Sequence, residues 1–399
     1  MTRLYLDYNA TAPLRPEARE ATFAALGSTG NASSVHAEGR GARGRIEAAR
    51  VEVARLVGGD PKYVTFTSGG TEANNTALTP HWSLRGKPHP VDVLLVGATE
   101  HVSVFDGGRF PADQVKQIPV DADGIINLAS LKHALERLAA TEARLMVSVM
   151  LANNETGAIQ PVAEIARLAH EAGALVHADA VQAAGRIPID IKALGVDVLT
   201  LSAHKIGGPQ GAGAIVRAGE AWSFAPLNVG GGQEKRLRAG TENVAAIAGF
   251  GAAAKGARAD LGRAAEWSAW RDRLAAIVAG DRKVGGEVTI FSAGAERLPQ
   301  TLCFAVPGLP AETLLIALDL AGVAVSSGSA CSSGKVSASH VLAAMGVPAS
   351  LAKCAIRVSL GWDSAESDLD SFATAWRSVL DHIAPGEIQA AWTLGFAVC

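Results

Sequence analysis

Cysteine is scarce in this sequence, and the few present are poorly placed for the roles that cysteine clusters play. Only Cys303, Cys331, Cys354 and Cys399 occur in 399 residues. None is spaced as C-x-x-C and none has a histidine cluster at metal-ligand spacing, which argues against a zinc site. A disulfide framework is not expected in a large chain whose start, "MTRLYLDYNATAP", has no apolar signal core. An excess of charge of one sign is also missing. Lys+Arg 36 against Asp+Glu 39 leaves a net charge of −3, with no electrostatic footprint for nucleic acid or an anionic membrane. No apolar run is long enough to cross a bilayer. The expectation is a cytoplasmic protein without direct nucleic-acid or membrane partners.

What is present is ample material for a large core. Hydrophobic residues make up 48% and charged residues 19%, unlike a disordered chain. Short apolar runs bounded by turn residues read as buried strands: "YVTFT" (63–67), "VDVLLVG" (91–97), "RLMVSVML" (144–151), "ALVHAD" (174–179), "DVLTLS" (197–202) and "GAIVR" (213–217). Helical patterns lie between them. One is "PVAEIARLAHEAG" (161–173), with proline at its start and glycine at its end. Such alternation predicts an α/β fold, a mostly parallel central sheet covered by helices on both faces. Past about residue 255 the texture changes. An Ala/Arg/Trp-rich helical stretch precedes fewer strands, "TLCFAV", "VAVSS" and "AIRVSL". This predicts a smaller α+β domain, formed by residues 1–15 and 259–399 beside a large domain of residues 16–258.

Ligands of open α/β sheets sit beyond the carboxyl ends of the strands, so the polar residues there are the candidates for chemistry. "TFTSGGTEANN" joins a strand to a helix through glycines. It is either a plain turn or an anion site built on backbone N–H groups near Gly70 and Thr71. "LTLSAHKIGGPQGAG" sets Ser202, His204 and Lys205 after an apolar strand. Lys205 is either a sheet-edge lysine or an amine that desolvation turns into a nucleophile toward an aldehyde. Asp179 in "LVHADAVQ" either caps the next helix or meets a cationic partner such as a protonated pyridine nitrogen. His101 in "GATEH" is either structural or a ring that stacks on a planar cofactor and moves protons. Together these four strand ends outline one cofactor pocket. Cys303 and Cys354 have apolar neighbours, and Cys399 is terminal. Cys331, inside "SSGSACSSG" (326–334), lacks packing partners and reads as an exposed, reactive thiol.

The ordered motifs "NASSVHAEGR", "FTSGGTEANN", "TEHVSV", "NNETG", "HADAVQ", "SAHKIGGPQGAG", "GGGQEKRLRAGTEN", "SSGSACSSG" and "RVSLG" carry a resemblance. The sequence resembles the cysteine desulfurases of the NifS/IscS type, within the class V aminotransferase group of fold-type I pyridoxal phosphate enzymes. The likeness runs from "LYLDYNATAP" nearly to the C-terminus. It implies pyridoxal 5′-phosphate held by Lys205 as a Schiff base, with Asp179 on the ring nitrogen and Gln182 on the phenolic oxygen. It implies His101 stacked on the ring, and Gly70, Thr71, Ser202 and His204 on the phosphate. It implies Thr241 reaching that phosphate from the second subunit of a homodimer, and Asn154, also on the cofactor, joining Arg357 at the substrate carboxylate. Cys331 would take sulfur from L-cysteine as a persulfide, leaving alanine, and could serve through that persulfide as a transient iron–sulfur ligand. The sulfur would pass to an acceptor protein or iron–sulfur scaffold, with selenocysteine cleavage or donation to tRNA thiolation as the alternatives. Tyr8 interrupts the first motif, and the residues after Cys331 depart from the usual Thr-Ser and Glu-Pro-Ser pattern. The "R-x-G-H-H-C" signature of the short-loop branch is absent, which assigns the long-loop branch.

Overall fold

The structure, a computed structural model, describes residues 3–281, 288–327 and 339–383. Cys331 and Cys399 lie outside the described residues. The central sheet has seven strands: β1 (Val64–Thr67), β2 (Val93–Gly97), β3 (Val115–Ile118), β4 (Leu145–Met150), β5 (Leu175–Asp179), β6 (Val198–Ser202) and β7 (Gly213–Arg217). Their spatial order is β1-β7-β6-β5-β4-β2-β3. Neighbours from β6 to β3 pair in parallel, and β7 runs antiparallel to both β1 and β6. The expected mostly parallel sheet is observed.

Why these runs form strands is visible in their two faces. Every residue of β4, β5, β6 and β7 is buried, so the alternation of a half-wet strand is replaced by continuous apolar sequence. Alternate side chains still sort to opposite sides. Val147, Val176, Leu199 and Ala214 pack on one face with helices α1 (Pro16–Leu26), α2 (Ala37–Leu56), α4 (Leu128–Ala139), α5 (Val162–Glu171) and α6 (Val244–Ala259). Met146, Leu175, Val198 and Ile215 face the other way, toward α3 (Gly70–Ala77) and a three-stranded sheet that contributes Trp82 and Phe224.

A second core lies around a four-stranded sheet, β8 (Thr289–Ile290), β9 (Thr301–Ala305), β10 (Ser326–Ser327) and β11 (Ala355–Ser359), in the order β8-β9-β11-β10. Helices α7 (Ala264–Ala279), α8 (Ala311–Leu320) and α9 (Ser367–His382) close it through Leu274, Leu314, Phe372 and Trp376. The N-terminal segment joins this core. Leu4–Tyr5 pairs with Val323–Ala324, Leu6 is buried within the core, and Asp7 bridges to Ser359. Tyr8 is buried against Gly361, where a Cβ would come within 1.8 Å of its ring. The tyrosine that interrupts the first motif is accommodated by the glycine of "RVSLG".

The edge of the main sheet at β1 is covered by a buried ion pair. Glu234 accepts from Arg50 Nη1 at 2.7 Å, Arg50 Nη2 at 2.8 Å and the Phe66 backbone N–H at 2.9 Å. Arg50 Nη1 also donates to Val64 O at 2.9 Å. The outward polar groups of an edge strand are thereby taken. Glu234, Lys235 and Arg236 all have left-handed backbone, with φ of 45°, 56° and 68°. Such a run of non-glycine residues costs about 1 kcal/mol or more each, so the clamp must hold it.

Candidate active site

The carboxyl ends of five strands converge on one cavity of about 340 Å³. Its wall includes Gly70, Thr71, His101, Asn154, Asp179, Gln182, Ser202, His204, Lys205 and Arg357. Ten residues proposed from sequence are therefore brought together. Thr241 is not on this wall; it is exposed in the segment that leads into α6. Cys331 lies outside the described residues, but the flanks of its segment do not. Ser326 pairs with Arg357, and Ser339 Oγ donates to Glu155 Oε2 at 2.6 Å, one residue past Asn154.

Each side chain is placed by its strand. Lys205 and His204 stand on the 3₁₀ turn Ala203–Ile206 that follows β6. Lys205 Nζ donates to the carbonyls of Asn9 and Ala10, both at 2.7 Å. Among the described residues it is the one lysine on the cavity wall. Asp179 ends β5; its Oδ1 accepts from Val181 N at 2.9 Å and its Oδ2 from Asn74 Nδ2 at 2.8 Å. Gln182 donates through Nε2 to Asn9 O at 2.9 Å and accepts at Oε1 from the buried Arg186 at 2.7 Å. His101 caps the short helix Val102–Phe105. Burial lowers its pKa, Lys205 and His340 add to that, and Asp179 opposes it.

Helix α3 starts at Gly70, directly against Ser202, where a Cβ on the glycine would come within 3.3 Å of the serine Cβ. Gly213, at the start of β7, lies so close to Gly69 that a Cβ would meet its carbonyl carbon at 2.5 Å. The backbone of the turn and the serine hydroxyl thus sit together at a helix N-terminus, an arrangement suited to an anion. Arg357 donates from Nη1 to Asn154 O at 2.9 Å and from Nη2 to Asp7 at 2.8 Å. Arg357 Nε and Asn154 Oδ1 are buried without a hydrogen-bond partner among the described residues. This donor set fits a pyridine ring bearing an aldehyde and a phosphate. It offers a carboxylate for the ring nitrogen, an amine for the aldehyde and N–H groups for the phosphate.

Sequence reasoning missed several wall residues. Asn9 and Ala10 act through backbone carbonyls, which leave no side-chain signature. Asn74 and Ser103 also line the cavity. Asn74 had a signal: it lies on the buried face of α3 with Ala73 and Ala77, and a buried amide among alanines needs partners. Among the described residues no cluster of three or more metal-ligating side chains occurs, and no helix is long and apolar enough to cross a membrane.

Burial pushes the pKa of His177, inside the sheet, down to about 4. Its unfolded value is near ~6.5, so between these limits only the unfolded chain takes the proton. Stability is therefore lost as pH falls through that window, by roughly 1.4 kcal/mol per pH unit for this group. A His177→Gln variant should show a flatter dependence of its urea midpoint on pH between about 4.5 and 6.5. An unchanged slope would remove His177 as the cause.

A mostly parallel sheet that brings a lysine, a carboxylate and an imidazole to an anion-ready helix start defines a pyridoxal phosphate enzyme of fold type I. The chain belongs to the aminotransferase class-V family, whose description matches residues 4–372. It is 39% identical over 396 residues to a protein named cysteine desulfurase from Cereibacter sphaeroides, covering 96% of this chain and 97% of that one. It is 39% identical over 375 residues to an IscS-like cysteine desulfurase from Mycobacterium tuberculosis, covering 92% and 93%. Among solved structures, a NifS-like protein from Rickettsia africae superposes with a TM-score of 0.83 at 34% identity, covering 95% of this chain and 99% of the other. The family's cofactor is pyridoxal 5′-phosphate, and the cavity residues fit it.

Proposed function

We propose that this chain is a cysteine desulfurase that takes sulfur from L-cysteine, leaves L-alanine and holds the sulfur as a persulfide on Cys331. The observation that carries this reading is the convergence of Lys205, Asp179, His101 and Arg357 on one cavity. Both flanks of the Cys331 segment are attached to its wall or next to it. A thiol so tethered has no use in simple aminotransfer.

Pyridoxal phosphate, when bound, supplies an electron sink for charge at the substrate α-carbon. Lys205 would hold it through the amine, Asp179 would serve the ring nitrogen and Gln182 the phenolic oxygen. Gly70, Thr71, Ser202 and His204 would hold the phosphate. Arg357 and Asn154 receive the substrate carboxylate, a task suited to a planar guanidinium. His101 would stack on the ring and move protons, and burial, which lowers its pKa, favours the neutral imidazole. The Cys331 thiolate attacks the substrate sulfur. An S–S bond forms as the C–S bond breaks, and the bonding pair stays with the carbon, which takes a proton to become alanine.

The finer readings belong with this proposal. Thr241 acts on the partner subunit's phosphate in a homodimer. Its exposure outside its own cavity supports this, as do the exposed apolar Phe23, Leu26, Val35, Leu227 and Val229. The division into residues 16–258 and 1–15 with 259–399 is supported by the second core, which takes in Leu6. The free thiols of Cys303 and Cys354 suit a cytoplasmic, reducing compartment. An iron–sulfur scaffold or other sulfur-acceptor protein takes the persulfide sulfur.

The test is Cys331→Ala. With cysteine and a dithiol reductant the parent should release sulfide and alanine. The variant should keep the cofactor's colour and bind cysteine, yet release neither product above background. Sustained sulfide release by the variant would reject the reading.

A further inference from the structure

From the cavity wall a chain of hydrogen bonds runs through two helices and three strands, β4, β5 and β6, and its direction can be worked out bond by bond. Asn74 Nδ2 lies 2.8 Å from Asp179 Oδ2 and 2.9 Å from Ser103 Oγ, while Asn74 Oδ1 lies 2.6 Å from Thr200 Oγ1. An ionised carboxylate only accepts, so the amide nitrogen must face Asp179 and the amide oxygen must face Thr200. Thr200 then donates its hydroxyl to Asn74 and accepts from His177 Nε2 at 3.1 Å. That leaves His177 Nδ1 to accept from Ser148 Oγ at 2.8 Å. His177 is completely buried and stays neutral, in keeping with one donor and one acceptor on its ring.

The other arm leads to His101. Ser103 Oγ accepts from Asn74, so its hydroxyl proton is available to His101 Nδ1 at 2.8 Å. The Ser103 backbone N–H points at the same Nδ1 from 3.2 Å. A ring nitrogen that receives two donors cannot carry a hydrogen of its own, so the imidazole proton resides on Nε2.

From this we propose that Asn74 is a positioning residue, whose amide orients the Asp179 carboxylate and, through Ser103, fixes His101 as the Nε2–H tautomer. One side chain thereby links the carboxylate and the imidazole, so that neither can be reset without the other. The benefit to the reaction rests on the function proposed above, but the tautomer is a property of this chain's own residues. It is measurable without turnover.

The experiment uses the full-length holoenzyme with ¹⁵N-labelled histidine side chains. Two-bond ¹H–¹⁵N spectra distinguish the two tautomers, and His101→Asn identifies the signal. The parent should show His101 as Nε2–H. Ser103→Ala removes the hydroxyl donor, and Asn74→Leu removes the amide that directs it. Each should shift the tautomer ratio toward Nδ1–H by about fivefold, the scale of one hydrogen bond. Ser103→Thr keeps a hydroxyl and should restore the parent pattern. If Asn74→Leu does not fold, Thr200→Val takes its place, since it frees the Asn74 amide to rotate, with the same direction of shift expected. A role confined to packing would lower stability in these variants and leave the His101 tautomer unmoved. An unmoved tautomer in Ser103→Ala and in the folded member of the other pair overturns the proposal, whatever the sulfide assay reports for Cys331→Ala.

Discussion

Replacing Lys205 by alanine should give a colourless protein with desulfuration reduced by at least about 10³-fold, within the range ascribed to a positioned acid–base or nucleophilic group. The size of the loss follows from the cavity wall. No second lysine stands there among the described residues to take over the amine. In the cofactor-free protein Lys205 also ties the N-terminal segment down through the Asn9 and Ala10 carbonyls, so alanine leaves two acceptors without a donor in that state and weakens its fold as well. Lys205→Arg separates the two effects. It keeps donors for those carbonyls but cannot condense with an aldehyde, so it should be well folded and inactive. Visible absorbance, borohydride trapping and sulfide release are the measurements. Cofactor still covalently trapped in Lys205→Ala would sink the assignment.

The largest effect on stability is expected far from the chemistry, at Glu234. Glu234→Ala would leave the Arg50 guanidinium, whose side chain is 7% exposed beside a carboxylate that is 3% exposed, with Glu47 at 3.2 Å as its remaining charge partner. Removing one partner of a buried pair costs about 3–5 kcal/mol when the other charge is left uncompensated, and Glu47, itself largely exposed, sets the expectation at the low end, about 3 kcal/mol. The Phe66 N–H also loses its acceptor, and three left-handed residues lose the contact that holds them. Glu234→Gln preserves shape and can still accept from Arg50 and Phe66, so its loss should be smaller. Urea unfolding at fixed protein concentration reads both variants. A Glu234→Ala protein as stable as the parent would show that the edge clamp contributes nothing.

The central sheet was legible because its strands are buried on both sides and therefore written as unbroken apolar runs. The strands predicted at 144–151 and 213–217 correspond to Leu145–Met150 and Gly213–Arg217. The edge strand Val115–Ile118 was not legible, since Lys116 and Gln117 are exposed and interrupt the run. Nor was Lys87–Pro90, whose two prolines suit only a peripheral strand. Most of the site was legible because strand-end positions carry chemistry in this class of sheet. The contacts from Asn9 and Ala10 were hidden, as they join residues 195 and 196 positions apart through main-chain oxygen. Asp179 could be named as a carboxylate in need of a partner, but Asn74, one of the partners it found, lies 105 residues earlier.

The N-terminal segment has a consequence for how the protein is made. Asn9 N bonds to Ser359 Oγ, and Asp7 bonds to Arg357, each across 350 positions of chain. Residues 7 and 9 are thus made long before the partners that place them. The sheet from residue 64 to 217 can form as it emerges, whereas the carbonyls that grip Lys205 must wait until residue 359 is synthesised. At roughly 5–20 residues per second, the stretch from residue 217 to residue 359 takes about 7–30 s, in which the sheet is built but the lysine lacks these anchors. The closing of residues 7–10 over Lys205 is thereby timed to the synthesis of residues 357–359.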